Sequence, residues 1–160
     1  MDITDLKLHI LTTDELNQKY RASRNKIYEA TRLALVTTYF TACNCIVATP
    51  NRDDQDADLL LTLPNNKTLR CQLKSRPTVN EKYMGKSIYM MFPLSKKDSR
   101  YVIIDHDVLQ KLMFDKWNYH NKGTRNYSSN SISNRNLQDI INYSVVGPFD
   151  PKSVVNVDYL

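Results

Sequence analysis

Three side chains near the middle of the chain have types and spacing that suit chemistry: Asp58, Gln72 and Lys74. Gln72 and Lys74 are two positions apart, so on a strand they face the same side. Asp58 lies at the head of Ala57-Asp58-Leu59-Leu60-Leu61-Thr62-Leu63, an apolar run that reads as a buried strand. Thr68-Leu69-Arg70-Cys71-Gln72-Leu73-Lys74 alternates and reads as the returning strand, with Pro64-Asn65-Asn66-Lys67 as the turn. If these strands pair through that turn, Asp58 falls near the level of Gln72 or Lys74. A carboxylate, an amide oxygen and an ammonium then share one small volume.

That set suits phosphodiester hydrolysis. Mg²⁺ prefers oxygen ligands, commonly one or two from the protein with water and substrate phosphate completing the shell. Asp58 is the candidate anionic ligand, and the Gln72 side-chain oxygen and the Leu73 carbonyl are candidate neutral ones. Lys74 is suited to orienting an attacking water or to stabilising charge that develops on phosphorus. Asp56 shares the strand parity of Asp58 but ranks behind it, because it lies in the polar loop 51–56. On spacing alone, a surface hairpin with a casual Asp–Lys pair stays open beside the catalytic reading.

The elements that must hold these residues are legible in outline. A short helix is expected over 12–18 with Thr13 as its N-cap, and a stronger one over 22–41 with Ser23 as N-cap. In the latter, Ile27, Ala30, Thr31, Ala34, Leu35, Thr38 and Tyr39 form one stripe, and Glu29 lies off it. Strands are expected over 45–48, 87–92 and 100–104, and an amphipathic helix over 107–114 with Asp105 or Asp107 as its cap. Residues 118–136 read as a long polar loop, followed by a short helix near 137–141 and an extended tail. The expected class is α/β (α+β), a central mixed β-sheet flanked by helices in one domain over 1–160, with a polar loop and C-terminal extension at about 117–160.

Composition narrows the partners. The net charge is +5, but residues 65–101 carry nine Lys or Arg against Glu81 and Asp98, a local +7. Such a block suits a phosphate-binding face, with a merely solvated surface as the plain alternative. Ser75, Arg76, Lys82, Tyr83 and Lys86 follow the Gln72–Lys74 pair and are candidate DNA-backbone contacts. Asn118, Lys122 and Arg125 in the polar loop are candidate groove contacts. Trp117 and Tyr119 at the head of that loop are read first as anchors to the core, with stacking on bases as the alternative. The odd count of three cysteines, with no Cys-x-x-Cys, points to buried thiols in a reducing compartment. The sequence has no phosphate-cradling glycine motif and only three glycines, which argues against nucleotide-driven chemistry. The absence of a long apolar run and of a basic-then-apolar start gives the expectation of a cytoplasmic protein without membrane contact.

The stretch Tyr28-Glu29-Ala30, Val47-Ala48-Thr49-Pro50, Ala57-Asp58-Leu59-Leu60 and Arg70-Cys71-Gln72-Leu73-Lys74-Ser75-Arg76 resembles the PD-(D/E)XK nuclease superfamily. The likeness covers roughly residues 24–92 and is nearest to small members with a Gln-x-Lys ending, akin to Holliday-junction-resolvase-like and intron homing nucleases. It implies a restriction-endonuclease-like fold and a Mg²⁺-dependent endonuclease, with Mn²⁺ as a substitute, acting on duplex or branched DNA. Asp58 matches the metal-binding aspartate and Lys74 the catalytic lysine. Gln72 stands where the family has glutamate, and the resemblance offers Glu29 as the source of the missing charge. A homodimer or homotetramer is expected, because one small active site cuts two strands awkwardly. The rival is a catalytically degenerate DNA-binding or inhibitor module of the same fold.

Overall fold

A computed structural model describes residues 13–51, 56–94, 100–119, 123–143 and 145–147. The chain divides into two compact units, Met1–Val36 and Thr37–Leu160. The described part of the first unit is helical and belongs to α1 (Thr13–Ala42). The two expected helices are thus one. No proline or glycine interrupts residues 13–42, and Ser23 sits inside the helix instead of capping it. The helix stops at Asn44, which takes a left-handed φ of 59°, while the Cys45 N–H reaches back to the Phe40 carbonyl at 2.9 Å. That pairing is the usual way to satisfy the last carbonyls.

The second unit contains eight strands among the described residues. In chain order they are β1 (Ile46–Ala48), β2 (Leu59–Thr62), β3 (Thr68–Leu73), β4 (Thr78–Val79), β5 (Ile88–Pro93), β6 (Tyr101–Asp105), β7 (Tyr127–Ser128) and β8 (Val145–Gly147). Among the described residues two further α-helices, α2 (His106–Lys111), which runs on into a π-helical turn over Leu112–Lys116, and α3 (Asn134–Tyr143), complete a mixed α/β architecture. One sheet has the order β1-β2-β3-β5-β6-β8, and β4 pairs with β7 in a separate ribbon. The β3–β5 pair is parallel and the other sheet neighbours are antiparallel.

Parallel neighbours need a crossover, and here it spans residues 74–87. That crossover carries β4 and a single 3₁₀ turn over Glu81–Tyr83, capped by the Asn80 side chain. Ile88, Met90 and Phe92 on β5 and Val102 and Ile104 on β6 share one sheet face and are fully or nearly fully buried with Leu109, Met113, Trp117 and Ile140. Leu59, Leu61, Leu69, Cys71, Met91 and Ile103 are buried on the opposite face. A sheet buried on both sides explains why its strands read as continuous apolar runs.

Asp105 caps α2 as expected, accepting from the N–H groups of Asp107 at 2.9 Å and Val108 at 3.1 Å. The expected polar loop 118–136 is not wholly irregular. It contains β7, and α3 begins at Asn134, earlier than its apolar residues suggest. Within the expected tail, Val145–Gly147 pairs with β6.

Candidate active site

The site begins with the turn of the β2–β3 hairpin. Pro64 presets its backbone for the first turn position, and Asn66 tolerates the left-handed φ of 64° that closes it. The Asn66 N–H donates to Leu63 O at 2.9 Å and the Leu63 N–H to Lys67 O at 2.8 Å. This turn fixes the register Leu59↔Cys71 through Thr62↔Thr68, and the two threonine hydroxyls meet at 2.9 Å. One step beyond the ladder, the Asp58 N–H donates to Cys71 O at 2.8 Å. Asp58 therefore stands across from Gln72.

The side chains complete that corner. Asp58 Oδ2 accepts from Gln72 Nε2 at 2.5 Å and from the Leu73 N–H at 2.8 Å. Gln72 is buried, 6% exposed, whereas Asp58 is exposed. The pairing accounts for an amide here. A glutamate at 72 would bring two carboxylates within hydrogen-bonding distance, and both could stay ionised only with a cation between them. The neutral amide satisfies the carboxylate with no cation.

The Lys74 N–H donates to Met91 O at 2.8 Å, so the backbone here is held by β5 just past the end of β3. Its side chain is half-buried, on the strand parity of Gln72, and among the described residues its ammonium joins no ion pair. Lys82 adds a second positive charge. Its ammonium lies 4.6 Å from the centre of the Tyr83 ring. The Tyr83 phenol holds this ammonium above its ordinary range, with the carboxylates of Asp56 and Asp58 adding to the effect. Lys86 pairs with Asp56 at 2.8 Å, which occupies the carboxylate ranked second in the sequence.

The remaining candidate residues fall into different places. Ser75 and Arg76 are exposed just past Lys74, and Arg76 Nη1 donates to Asn130 Oδ1 at 2.9 Å. Tyr83 is buried at 3% exposure and meets His106 edge-on, 5.6 Å between ring centres, so its ring belongs to the core. Asn118 is exposed with a φ of 55°. Arg125 is engaged within the protein: its N–H donates to Glu81 at 2.7 Å and its guanidinium lies 3.7 Å from Asp115. Trp117 is buried and donates to Asp139 at 2.9 Å, and Tyr119 stacks on Tyr127 at 5.0 Å, which makes both anchors. Glu29 is exposed on α1, in the unit Met1–Val36. Lys122 lies outside the described residues.

The sequence reading did not include Thr78, Ser128 or Asn130, which the β4–β7 pairing brings beside Arg76. Two-residue strands leave no apolar alternation to detect. The polar alternation Arg76, Thr78 and Ser128, Asn130 was the one signal available.

The donor set fits a loosely held Mg²⁺. Asp58 offers Oδ1, which lies outside its two hydrogen bonds, and Gln72 offers its amide oxygen. An ion that keeps several waters needs little more from the protein. Among the described residues, no three His, Cys, Asp or Glu side chains gather as a metal-binding group. Burial pushes the Cys71 thiol far up, and Cys45 is raised by burial and by Cys43, so these two stay protonated. No helix among the described residues is long and apolar enough to cross a membrane. No protein-family model, curated protein or solved structure matches the chain.

Proposed function

We propose that the chain is a metal-dependent DNA endonuclease of the PD-(D/E)XK type, acting in the cytoplasm as a homodimer or homotetramer. The observation that carries this reading is the corner where Asp58 accepts from Gln72 and Leu73 one residue before Lys74. Asp58 Oδ1 and the Gln72 amide oxygen would hold Mg²⁺ or Mn²⁺. When bound, the ion supplies a Lewis acid for the phosphate and lowers the pKa of water. Asp58 is kept in place by two hydrogen bonds to one oxygen, so its other oxygen is aimed without rearrangement. The Lys74 ammonium, which joins no ion pair among the described residues, is suited to holding a water by its lone pair or to meeting negative charge on phosphorus. Lys82 adds positive potential beside the same carboxylate.

Gln72 favours a second reading, in which the fold binds DNA without cutting it. The amide satisfies Asp58 with no cation, so the corner is stable as it stands. One experiment separates the two. Supercoiled and branched DNA are incubated with Mg²⁺ or Mn²⁺ and the native protein, Asp58→Asn or Lys74→Ala. Metal-dependent nicking that both substitutions abolish is the expected result. Salt-sensitive binding with no nicking on any substrate assigns the chain to the binding module instead.

A further inference from the structure

The β3–β5 pair is parallel, so the chain leaves both strands at the same end of the sheet. Residues 75–77 and Pro93-Leu94 therefore emerge side by side, and together with Asn130 and Ser131 they line a groove of about 240 Å³. Its floor is apolar: Pro77 and Leu94 are buried. Its rim is polar. Thr78↔Ser128 is a register pair, and the next pair outward on the same face is Arg76 with Asn130. The Thr78 and Ser128 hydroxyls meet at 2.9 Å, and the Ser129 N–H donates to Pro77 O at 2.9 Å, which ties the ribbon together.

The chemistry of that rim is one-sided. Arg76 is held by a neutral acceptor, the Asn130 amide oxygen, and among the described residues no carboxylate pairs with it. The bond uses the acceptor of Asn130 and leaves its NH₂ group as the outward function. A guanidinium, an amide NH₂ and the Ser75 and Ser131 hydroxyls present hydrogen-bond donors around a shallow apolar floor. Donors with net positive charge select a phosphate, and an apolar floor suits the sugar attached to it.

We propose that this groove and the β4–β7 ribbon form a metal-independent docking site for the DNA backbone. It takes a phosphodiester a short run of nucleotides from the one at Asp58 and Lys74, and it sets the register of the strand against that corner. The proposal rests on the nucleic-acid reading of the site but not on cleavage.

The test is fluorescence anisotropy of a labelled DNA duplex in EDTA, with the full chain carrying Asp58→Asn throughout. On that background Arg76→Ala and Asn130→Asp are compared with Lys67→Ala, an exposed lysine in the β2–β3 turn that controls for loss of one charge. Arg76 and Asn130 are exposed, so the variants keep the parent melting curve. Arg76→Ala and Asn130→Asp each weaken binding about tenfold, and Arg76→Ala lowers the salt slope by about one. Lys67→Ala changes affinity less than about twofold. Equal effects of Arg76→Ala and Lys67→Ala overturn the site, as does a parent protein that does not bind the duplex. The expected binding pattern, together with a native Asp58 protein that never nicks DNA, leaves the docking site standing and removes the nuclease reading. Mg²⁺-dependent nicking by the native Asp58 protein, with the ribbon variants silent in the binding assay, does the reverse.

Discussion

Two corners of the second unit place a buried neutral side chain against an aspartate, and they differ in what is left over. At the start of α2, His106 is 1% exposed and its Nδ1 lies 2.9 Å from Asp107 Oδ1. The Asn80 N–H donates to Nε2 at 3.1 Å, which makes Nε2 the acceptor and places the ring proton on Nδ1. The other Asp107 oxygen accepts from the Gly85 N–H at 2.9 Å. Every polar atom of this pair is tied to protein, and the result clamps the crossover onto α2. At the Asp58 corner Oδ2 is tied twice and Oδ1 has no partner among the described residues, and Lys82 lies near enough for its charge to act on the carboxylate. The same motif of acid and neutral partner is structural when both ends close on protein. On the proposed reading it serves chemistry when one oxygen stays outside the protein's own hydrogen bonds.

The sharpest way to break that contrast is Lys74→Ala. Cleavage falls by about 10²–10³, as for removal of a donor to developing charge, while the melting temperature stays near native because the ammonium joins no ion pair among the described residues. A drop in both would make Lys74 structural and erase the difference between the corners. His106→Ala should behave in the opposite way. It leaves the Asn80 N–H without its acceptor and opens a cavity, so urea unfolding is expected to show a loss of about 3 kcal/mol. Nicking per folded molecule should be unchanged.

Gln72→Glu converts the first corner into a carboxylate pair. In EDTA at pH 8 this lowers stability by about 1–2 kcal/mol, and Mg²⁺ restores it. Thermal melts with and without the ion read this out. A glutamate tolerated equally in both conditions would mean that no cation sits there. The smallest effect concerns Asp107. Partial burial pushes its carboxyl upward, but the His106 and Gly85 hydrogen bonds outweigh this and hold it below its ordinary 3.8. The unfolded chain therefore binds the proton more readily. The stabilisation is present above that value and is lost as the pH falls through the lower folded one. Asp107→Asn should flatten the acid limb of a stability profile, with little change near neutrality.

Strand parity and turn composition make the placement of Asp58 opposite Gln72 legible because a hairpin is a local structure. Its register follows from five or six residues of turn and alternation. The closing bond from Gln72 to Asp58 was less legible. The sequence offered Gln72 as a ligand through oxygen, and the fold adds that its NH₂ group faces the carboxylate. Ser23 is a good cap by type and so suggests two helices, yet a cap needs a break before it, and residues 19–22 supply none. The β4–β7 ribbon was out of reach for a different reason. Its partners are fifty residues apart and each contributes two residues, so the pairing exists only once the β3–β5 crossover and the loop after α2 are placed.

Closing a loop of this length costs conformational entropy that grows slowly with length, and here it is opposed by two short strands, a few polar bonds at their ends and the stacking of Tyr127 on Tyr119. The β2–β3 hairpin closes through a four-residue turn and can form early. The ribbon is then expected to assemble last and to open first, so that the Ser129 amide exchanges with solvent well ahead of the Lys74 amide. On the proposed reading, the surface that sets the register of a bound strand is the part of that end of the sheet that breathes most often, and a bound phosphate slows that exchange.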